Sequence, residues 1–495
     1  GSVVALDPKK ENWELTAGFR SKYSAAGDVV LFDPLNYDGR GWRYNPLAQM
    51  GDGIQRIDEV DRIANMLIPN PLNGDTYWAS GARDLLKGAV LAFAELNDTY
   101  QAELCRAAAE GKDSAGLERP EPVALGSVYR LVVDSGVCGE RCAALASRVS
   151  SDAAKRLLGS FAALPMKQAE GVLGALKDKI GLWGNPAIDA ATAASDFTFE
   201  GLRRRRQSIY LGVTPDNIER LSPLLGLMFQ QAIDALVRRL PAPDENVHVL
   251  LLIDEAAMLK RLPVLAASMA FLRGYMGSVF LILQSPAQGV EHYGPAGWRA
   301  MVETCKYRVL YAPNSLETAT EISKELGTYT MRSISKSRSA KGGSTSIASA
   351  KRELMLPQEV LQMGREKLVL FIEGLRPILG QKARYFENAA LLSRSKLKPP
   401  ELPSYEIREH SGVALDALHR AVAAGEAEAA LIEQTADEGL LEVAIAALGS
   451  AKRDGDSDRV SEIQTIAKQV ASRLPPDRPD DSAMIAALMA VGART

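Results

Sequence analysis

The sequence predicts an α/β fold in which a mostly parallel sheet carries an inserted all-α domain and is followed by a helical C-terminal tail. Short apolar runs that end on polar residues recur along the chain and are typical of strands buried in a parallel sheet. Residues 55–185 have helical periodicity and no strand pattern. Beyond residue 396, a Pro-rich break precedes alanine-rich helical stretches.

The most informative apolar run lies within residues 248–255. Five consecutive aliphatic residues end on Asp254 and Glu255, a length that suits a buried parallel strand. Such a strand delivers its last residues to the carboxyl edge of the sheet, where α/β folds bind ligands. The pair therefore lies where a P-loop ATPase keeps the carboxylates that hold Mg²⁺ and activate water. The alternative is that Asp254 caps the following helix.

The next segment predicts a βαβ unit with its polar groups at one edge. Residues 263–273 have the spacing of an amphipathic helix that two glycines stop. A second apolar strand over residues 279–283 then ends on Gln284. From these positions Gln284 can sense a γ-phosphate, and Arg273 can reach a neighbouring subunit.

Two earlier strands, over residues 2–6 and 29–32, each end on an Asp-Pro pair. Lys9 follows the first pair and can approach a phosphate; a solvated lysine after a turn is the alternative. The pattern G-x-x-x-x-G-K-[ST] does not occur in the sequence. Because the chain opens directly on a strand, we expect the natural protein to continue upstream.

Composition and charge exclude several classes of function. A net charge of −3 excludes a whole-chain basic nucleic-acid binder, although residues 411–495 carry −6 and the remainder +3. Four cysteines and four histidines form no metal-ligand pattern. Cys138 and Cys142 have helical spacing and are predicted to be buried thiols in a reduced compartment. No apolar run approaches 18 residues, so no membrane span is predicted.

Two basic segments each allow two interpretations. Four arginines at residues 203–206 precede a strand and fit a solvated turn, or contacts to DNA phosphates. Residues 331–352 are rich in Ser and Gly, hold six basic residues and no acid, and predict a mobile loop. Such a loop could contact a translocating DNA backbone. Further along, residues 367–373 and 383–386 predict a closing β-hairpin.

Five stretches in register resemble type IV coupling proteins, the TraG-like hexameric ATPases of conjugation and type IV secretion. These stretches are residues 3–17, Asp33 and Pro34 with residues 43–47, residues 197–203, residues 251–284 and residues 356–360. The resemblance implies a RecA-like P-loop NTPase sheet that binds ATP and Mg²⁺ between the subunits of a hexamer.

The resemblance implies a role for each candidate residue. Asp254 holds Mg²⁺ through water, Glu255 is the base for the attacking water, and Gln284 senses the γ-phosphate. Arg273 inserts into the site of the neighbouring subunit. Lys9 is a candidate contact to the nucleotide phosphates.

The resemblance also divides the chain into four parts. These are residues 1–54 and 186–395 of the nucleotide-binding domain, the all-alpha cargo-binding domain at 55–185, and residues 396–495, which lie outside the resemblance. The acidic, alanine-rich helical pattern of residues 396–495 predicts an interaction tail, with a simple solvated extension as the alternative. The implied partners are the secretion channel and its ATPases, relaxase–DNA complexes, effector proteins and adaptors, at the cytoplasmic face of the bacterial inner membrane. Since the family's anchor and phosphate loop precede the first strand, we expect this chain alone to be monomeric and inactive towards ATP.

Two other functions remain open. The chain could be a non-catalytic docking platform that recruits cargo through the all-alpha domain and tail, although the retained Asp254 and Glu255 count against it. It could also be an FtsK-like DNA translocase, but residues 405–495 show no winged-helix pattern.

Overall fold

Five parallel strands form the central sheet, as the short apolar runs predict. The computed structural model describes residues 1–407 except residues 26, 71–75, 111–116, 118, 134–135 and 340–341. The strands are β1 (Ser2–Asp7), β2 (Val29–Phe32), β3 (Ser208–Gly212), β4 (Val249–Ile253) and β5 (Gly277–Leu281). Their order is β2-β3-β1-β4-β5, and every neighbouring pair is parallel. All five carboxyl ends therefore meet at one edge.

Helices connect these strands and form a long insertion between β2 and β3. The α-helices of the described residues are α1 (Glu11–Ser21), α2 (Gly53–Leu67), α3 (Tyr77–Ala109), α4 (Leu125–Val132), α5 (Cys138–Arg148), α6 (Asp152–Ala162), α7 (Met166–Ile180), α8 (Pro186–Thr192), α9 (Ile218–Val237), α10 (Pro263–Ser268), α11 (Pro286–Thr304), α12 (Leu316–Leu326), α13 (Pro357–Leu361) and α14 (Ala389–Ser395). Among the helices described, none has the length and hydropathy needed to cross a bilayer.

The inserted helices α2–α8 pack around the buried stretch of α3 and share one apolar core with the sheet. That core includes Val4 and Leu6 of β1 together with Leu85 and Leu86 of α3. The division into the four predicted domains stays a prediction. The predicted tail helices beyond residue 407 lie outside the described residues.

Two buried thiols lie on α5, as the helical spacing predicts. Cys138 and Cys142 are both fully enclosed, and their Sγ atoms are 4.0 Å apart. They form no disulfide with each other, and both belong to the apolar core.

The prediction of an irregular loop at residues 331–352 is wrong for the residues that the structure describes, and their mobility stays a prediction. These residues belong to β7 (Thr328–Ser339) and β8 (Gly342–Glu353), which pair in an antiparallel ladder from Thr328 and Glu353 at its base to Ser339 and Gly342. A Ser- and Gly-rich composition lowers the propensity for burial, but it does not prevent two segments from satisfying each other's backbone hydrogen bonds.

A second, antiparallel sheet contains the remaining strands. They are β6 (Tyr307–Leu310), β9 (Lys367–Ile372) and β10 (Ile378–Gln381), in the order β10-β9-β6. The predicted hairpin is therefore correct in its first strand and wrong in its second. Gly374, with φ of 79°, reverses the chain directly after β9, so pairing begins before residue 383, and Tyr385–Glu387 is a short 3-10 helix.

The helix predicted over residues 263–273 is also shorter than expected. The α-helix ends at Ser268, and the backbone N–H groups of Phe271 and Gly274 then bond three residues back. This tighter pattern leads into the 3-10 helix Leu272–Tyr275. Periodicity alone does not separate an α-helix from such a segment, because the apolar spacing is similar in both.

The arginines at residues 203–206 lie at the amino edge of the sheet, where the solvated-turn interpretation holds only in part. Arg203 is 4% exposed and pairs with Glu245 at 3.1 Å. Its guanidinium also donates to the Leu236 carbonyl at 2.9 Å. Arg205 pairs with Asp28 at 3.1 Å. The run is therefore partly a structural anchor, because the buried carboxylate of Glu245 requires a cation beside it.

Candidate active site at the carboxyl edge of the sheet

Asp254 and Glu255 follow directly on β4, at the carboxyl edge of the sheet. Glu255 has a left-handed backbone, with φ of 54° and ψ of 48°. This conformation is unfavourable for a residue with a Cβ atom, and it is found preferentially at functional sites. The turn brings the backbone N–H of Glu255 onto Oδ1 of Asp254 at 3.1 Å. Both residues are half-buried.

The carboxyl groups at this edge are held in an unfavourable electrostatic environment. Burial is the main cause that raises the pKa of Asp254 above its ordinary value, and the negative charge of Glu255 adds to it. Burial also raises the pKa of Asp7 at the end of β1, and Asp254 contributes to that rise. A cation bound close to these groups would favour their ionised forms.

Gln284 lies three residues beyond β5 and contacts Glu255, as the common edge of the two strands predicts. Its Nε2 donates to Oε1 and Oε2 of Glu255 at 3.3 and 3.1 Å. Its backbone N–H is accepted by Oε1 of Gln288 at 2.9 Å, at the start of α11. The amide therefore links the ends of β4 and β5, while the Gln284 side chain stays exposed.

Sequence reasoning missed the part that Asp7 plays at this edge. Its carboxylate accepts from the backbone N–H groups of Asn12 at 3.2 Å and Trp13 at 2.8 Å. Asp7 therefore caps the N-terminus of α1 from outside the helix, although it precedes the first helical residue by four positions. The sequence signal was an Asp-Pro pair shortly before an amphipathic segment with Glu11 in its first turn.

The two lysines after β1 have different environments. Lys10 has a left-handed backbone with φ of 60°, and its Nζ pairs with the buried carboxylate of Asp33. Lys9 is exposed and makes no hydrogen bond to the described part of the chain. Its charge opposes the rise in the pKa of Asp254, so it lies on the same edge as the candidate site.

Arg273 lies away from these residues within one chain. It is exposed in the 3-10 helix that precedes β5, and the first residue of β5 pairs with the first residue of β4. The five residues of β5 span roughly 17 Å at about 3.3 Å per residue. Arg273 is therefore at the amino edge, and the structure does not bring it to Asp254, Glu255 or Gln284 of the same subunit.

The residues at the carboxyl edge fit the metal and γ-phosphate end of a nucleotide. Among the described residues, no three His, Cys, Asp or Glu side chains are arranged to hold a metal ion. Mg²⁺ in phosphoryl-transfer sites is commonly held by one or two carboxylates, water and the phosphates themselves. Asp254 provides such a carboxylate, and its unfavourable burial, which the charge of Lys9 only partly offsets, suits that use.

The parallel sheet with polar residues at its carboxyl edge is a RecA-like α/β fold. The sequence matches the family described as "Type IV secretory system Conjugative DNA transfer" over residues 1–409. The chain belongs to this family, the coupling proteins of type IV secretion and conjugation.

Known members of the family are similar to this chain over most of its length. Protein VirD4 of Agrobacterium fabrum (strain C58 / ATCC 33970) is 31% identical over 398 residues, which cover 79% of this chain and 56% of that protein. Conjugal transfer protein TraG of Escherichia coli is 25% identical over 432 residues, covering 81% of this chain and 66% of that protein. The chain spans about half the length of the VirD4 relatives it matches.

Solved structures show the same fold. The bacterial conjugative coupling protein TrwBdeltaN70, in its unbound monoclinic form, superposes with a TM-score of 0.51 at 16% identity. The superposition covers 77% of this chain and 78% of that chain. The trigonal form of the same protein in complex with sulphate gives a TM-score of 0.50 at 15% identity, covering 82% of this chain and 80% of that chain.

Proposed function

We propose that the protein is the motor subunit of a type IV coupling machine, which hydrolyses ATP to drive cargo into the secretion channel. The contact between Glu255 and Gln284, beside the half-buried Asp254, carries this proposal. Bound Mg²⁺–ATP supplies the phosphoanhydride bond whose hydrolysis releases the energy. A general base, a metal-binding carboxylate and an uncharged amide at the ends of adjacent strands are the groups that this reaction needs.

Each residue at the carboxyl edge has a defined task in this proposal. Asp254 holds the metal ion through its water shell. Glu255 accepts a proton from the attacking water, and the two bonds from Gln284 hold its carboxylate in one orientation. Since those bonds use the Gln284 amide, movement of Gln284 towards a γ-phosphate would release Glu255. Lys9 is a candidate contact to the phosphates.

Arg273 acts on the neighbouring subunit in this proposal. Its position at the amino edge, exposed and away from the site of its own chain, supports a role across a subunit boundary. A ring of six copies closes such a head-to-tail arrangement. An arginine supplied in this way stabilises transition-state charge and is worth about 10³–10⁵ in rate.

Cargo and location follow the family. We propose that residues 55–185, with the tail at 396–495, receive relaxase–DNA complexes, effector proteins or adaptors. The ring would act with the secretion channel and its ATPases at the cytoplasmic face of the inner membrane. The six basic residues of 331–352 make the β7–β8 hairpin a candidate contact to a DNA backbone.

ATP hydrolysis by the full-length protein, with and without single- and double-stranded DNA, tests this function. We expect turnover that falls at least 100-fold in Glu255→Gln, because a general base contributes about 10²–10⁴ in rate. Exposed Glu317→Gln on α12 provides a matched control that should keep full activity.

A full-length protein that binds no nucleotide would contradict the proposal and favour a non-catalytic docking platform. Hydrolysis stimulated by duplex DNA without any secretion partner would favour an FtsK-like translocase. Measuring nucleotide binding beside turnover separates these outcomes.

A further inference from the structure

A polar cleft of about 280 Å³ lies between α2 and α9, away from the carboxyl edge. Its walls come from segments far apart in sequence: the loop before α2, α2 itself, the loop before β3, and α9. The residues that carry the argument are Gln49, Glu59, Arg62, Glu200, Asp234 and Arg238. The cleft thus joins the first inserted helix to a helix that packs on the sheet.

Several hydrogen-bond donors in this cleft have spare capacity. Nε2 of Gln49 is buried and has no acceptor among the described residues. The guanidinium of Arg62 lies 3.9 Å from its nearest carboxylate, Glu59, which is too long for a hydrogen bond. Arg238 donates to Glu59 at 2.9 Å and lies 3.9 Å from Glu200. Because each guanidinium has five N–H groups, most of these donors face the cleft or solvent.

The acceptors in the cleft are more fully used than the donors. Oε2 of Glu59 accepts from the backbone N–H of Gly51 at 2.7 Å, and its Oε1 accepts from Arg238. Asp234 accepts from Nε2 of Gln230 at 2.8 Å, and burial raises its pKa above the ordinary value. The oxygens of Glu59 and Oδ1 of Asp234 are thus occupied, whereas the exposed Glu200 lies 3.9 Å from Arg238 and is not bonded to it. Away from Glu200, the cleft has unused donors beside occupied acceptors, a condition that favours binding an oxyanion.

The size and lining of the cleft restrict the ligand. A volume of about 280 Å³ lies just below the range of about 300–1,000 Å³ for drug-sized ligands. Met50, Ile63 and Leu227 supply apolar surface beside the donors. Five arginines and three acidic residues line the cleft, so its net charge attracts anions. Its volume suits a single anionic group rather than a stretch of nucleic-acid backbone.

We propose that this cleft binds one carboxylate on a short apolar stem, as an acidic peptide segment of a partner protein presents it. Arg62 and Arg238 bind the carboxylate, Gln49 donates to it, and the apolar side chains contact the stem. This site is independent of nucleotide hydrolysis. It would give a partner a contact that touches the inserted helices and the sheet-bound α9 at once.

Titration of the chain with a short test peptide, acetyl-Gly-Leu-Glu, examines the site by calorimetry. We expect saturable binding that is lost, or weakened at least tenfold, when the glutamate and the C-terminus of the peptide are both amidated. Arg62→Gln should weaken binding at least fivefold without lowering the melting temperature, because Arg62 donates no hydrogen bond within the described residues. Arg156→Gln removes the same charge from the exposed face of α6 and should leave binding unchanged.

Three outcomes would overturn the proposal. They are equal binding of the amidated peptide, unchanged binding by Arg62→Gln, and tighter binding of inorganic phosphate or a 12-nucleotide DNA at the same cleft. The last result would reassign the site to phosphate. Arg238→Gln adds a second check, since it removes the other guanidinium but also an ion pair to Glu59; its melting temperature must be measured beside its affinity.

Discussion

The two edges of the parallel sheet differ in how completely their charges are compensated. At the amino edge, hydrogen bonds from Arg239 are the main cause that holds the pKa of Glu245 below its ordinary value, and Arg203 adds its charge. At the carboxyl edge, burial raises the pKa of Asp254 and no arginine contacts it within the described residues. At the amino edge, arginines of the same chain balance the negative charge of Glu245. At the carboxyl edge, the charge of Asp254 is left for a bound cation to balance.

The largest expected effect is on ATP turnover. Mixing two inactive variants of the full-length protein tests whether the amino edge of one subunit acts on the carboxyl edge of its neighbour. If Arg273 at the amino edge serves the neighbour's Glu255 at the carboxyl edge, Glu255→Gln and Arg273→Ala subunits are each inactive alone. In an equal mixture, about a quarter of the interfaces of a closed ring regain both groups. ATP turnover by the mixture would then recover to roughly that fraction. No recovery would place Arg273 outside the neighbour's site.

Removing the compensated carboxylate should destabilise the fold. We expect Glu245→Gln to lower the free energy of unfolding by about 2–3 kcal/mol, because it leaves the 4%-exposed Arg203 without its ion pair. Denaturant unfolding measures this loss, and Asp244→Asn, an exposed neighbour, is the matched control. A change below about 0.5 kcal/mol would show that the amino edge is not the stabilised one.

The pH dependence of the stability lost in Glu245→Gln tests whether the charge of Glu245 is its cause. Since the pKa of Glu245 is lowered in the folded state, its stabilisation is present above the unfolded value of about 4.3 and disappears as the pH falls through the folded value. The stability difference between the wild-type chain and Glu245→Gln should therefore stay constant above about pH 5 and shrink as the pH falls from about 5 to about 2. A constant difference across that range would contradict an electrostatic cause.

The smallest expected effect is a gain in stability, and it comes from removing the charge of Asp254 at the carboxyl edge. Because the pKa of Asp254 is raised in the folded state, its ionised form opposes folding at neutral pH. Asp254→Asn should raise the melting temperature by roughly 1–2 °C at pH 7. The gain should vanish as the pH falls below about 4, where the aspartic acid is already protonated. A lower melting temperature for Asp254→Asn at pH 7 would refute this assignment.

The strands were the part of the fold most accessible from the sequence. A short apolar run that ends on polar residues, such as the one before Asp254, fits few structures other than a buried strand. In a parallel sheet the carboxyl ends of all strands lie at the same edge, so the position of the polar residues follows. The sequence therefore predicts that Glu255 and Gln284 lie at one edge of the sheet, but not the hydrogen bonds between them.

The errors arose where composition or periodicity does not determine backbone geometry. Serine and glycine at residues 331–352 predicted an irregular loop, but pairing between strands depends on a partner that composition cannot reveal. The burial of Arg203 depends on Glu245, which is 42 positions away in the chain. The capping of α1 by Asp7 depends on a loop that folds back over four residues. Each of these contacts is set by tertiary structure, which a local pattern does not contain.

The position of β1 has a consequence for the synthesis of the protein. This strand lies between β3 and β4 at the middle of the sheet, and its residue Val4 pairs with Ile209 on one side and Leu251 on the other. Both partners are made more than 200 residues later. An apolar central strand therefore leaves the ribosome long before its neighbours exist, and such non-local pairing folds slowly and is exposed to aggregation. The growing chain thus requires shielding of β1 until β4 emerges.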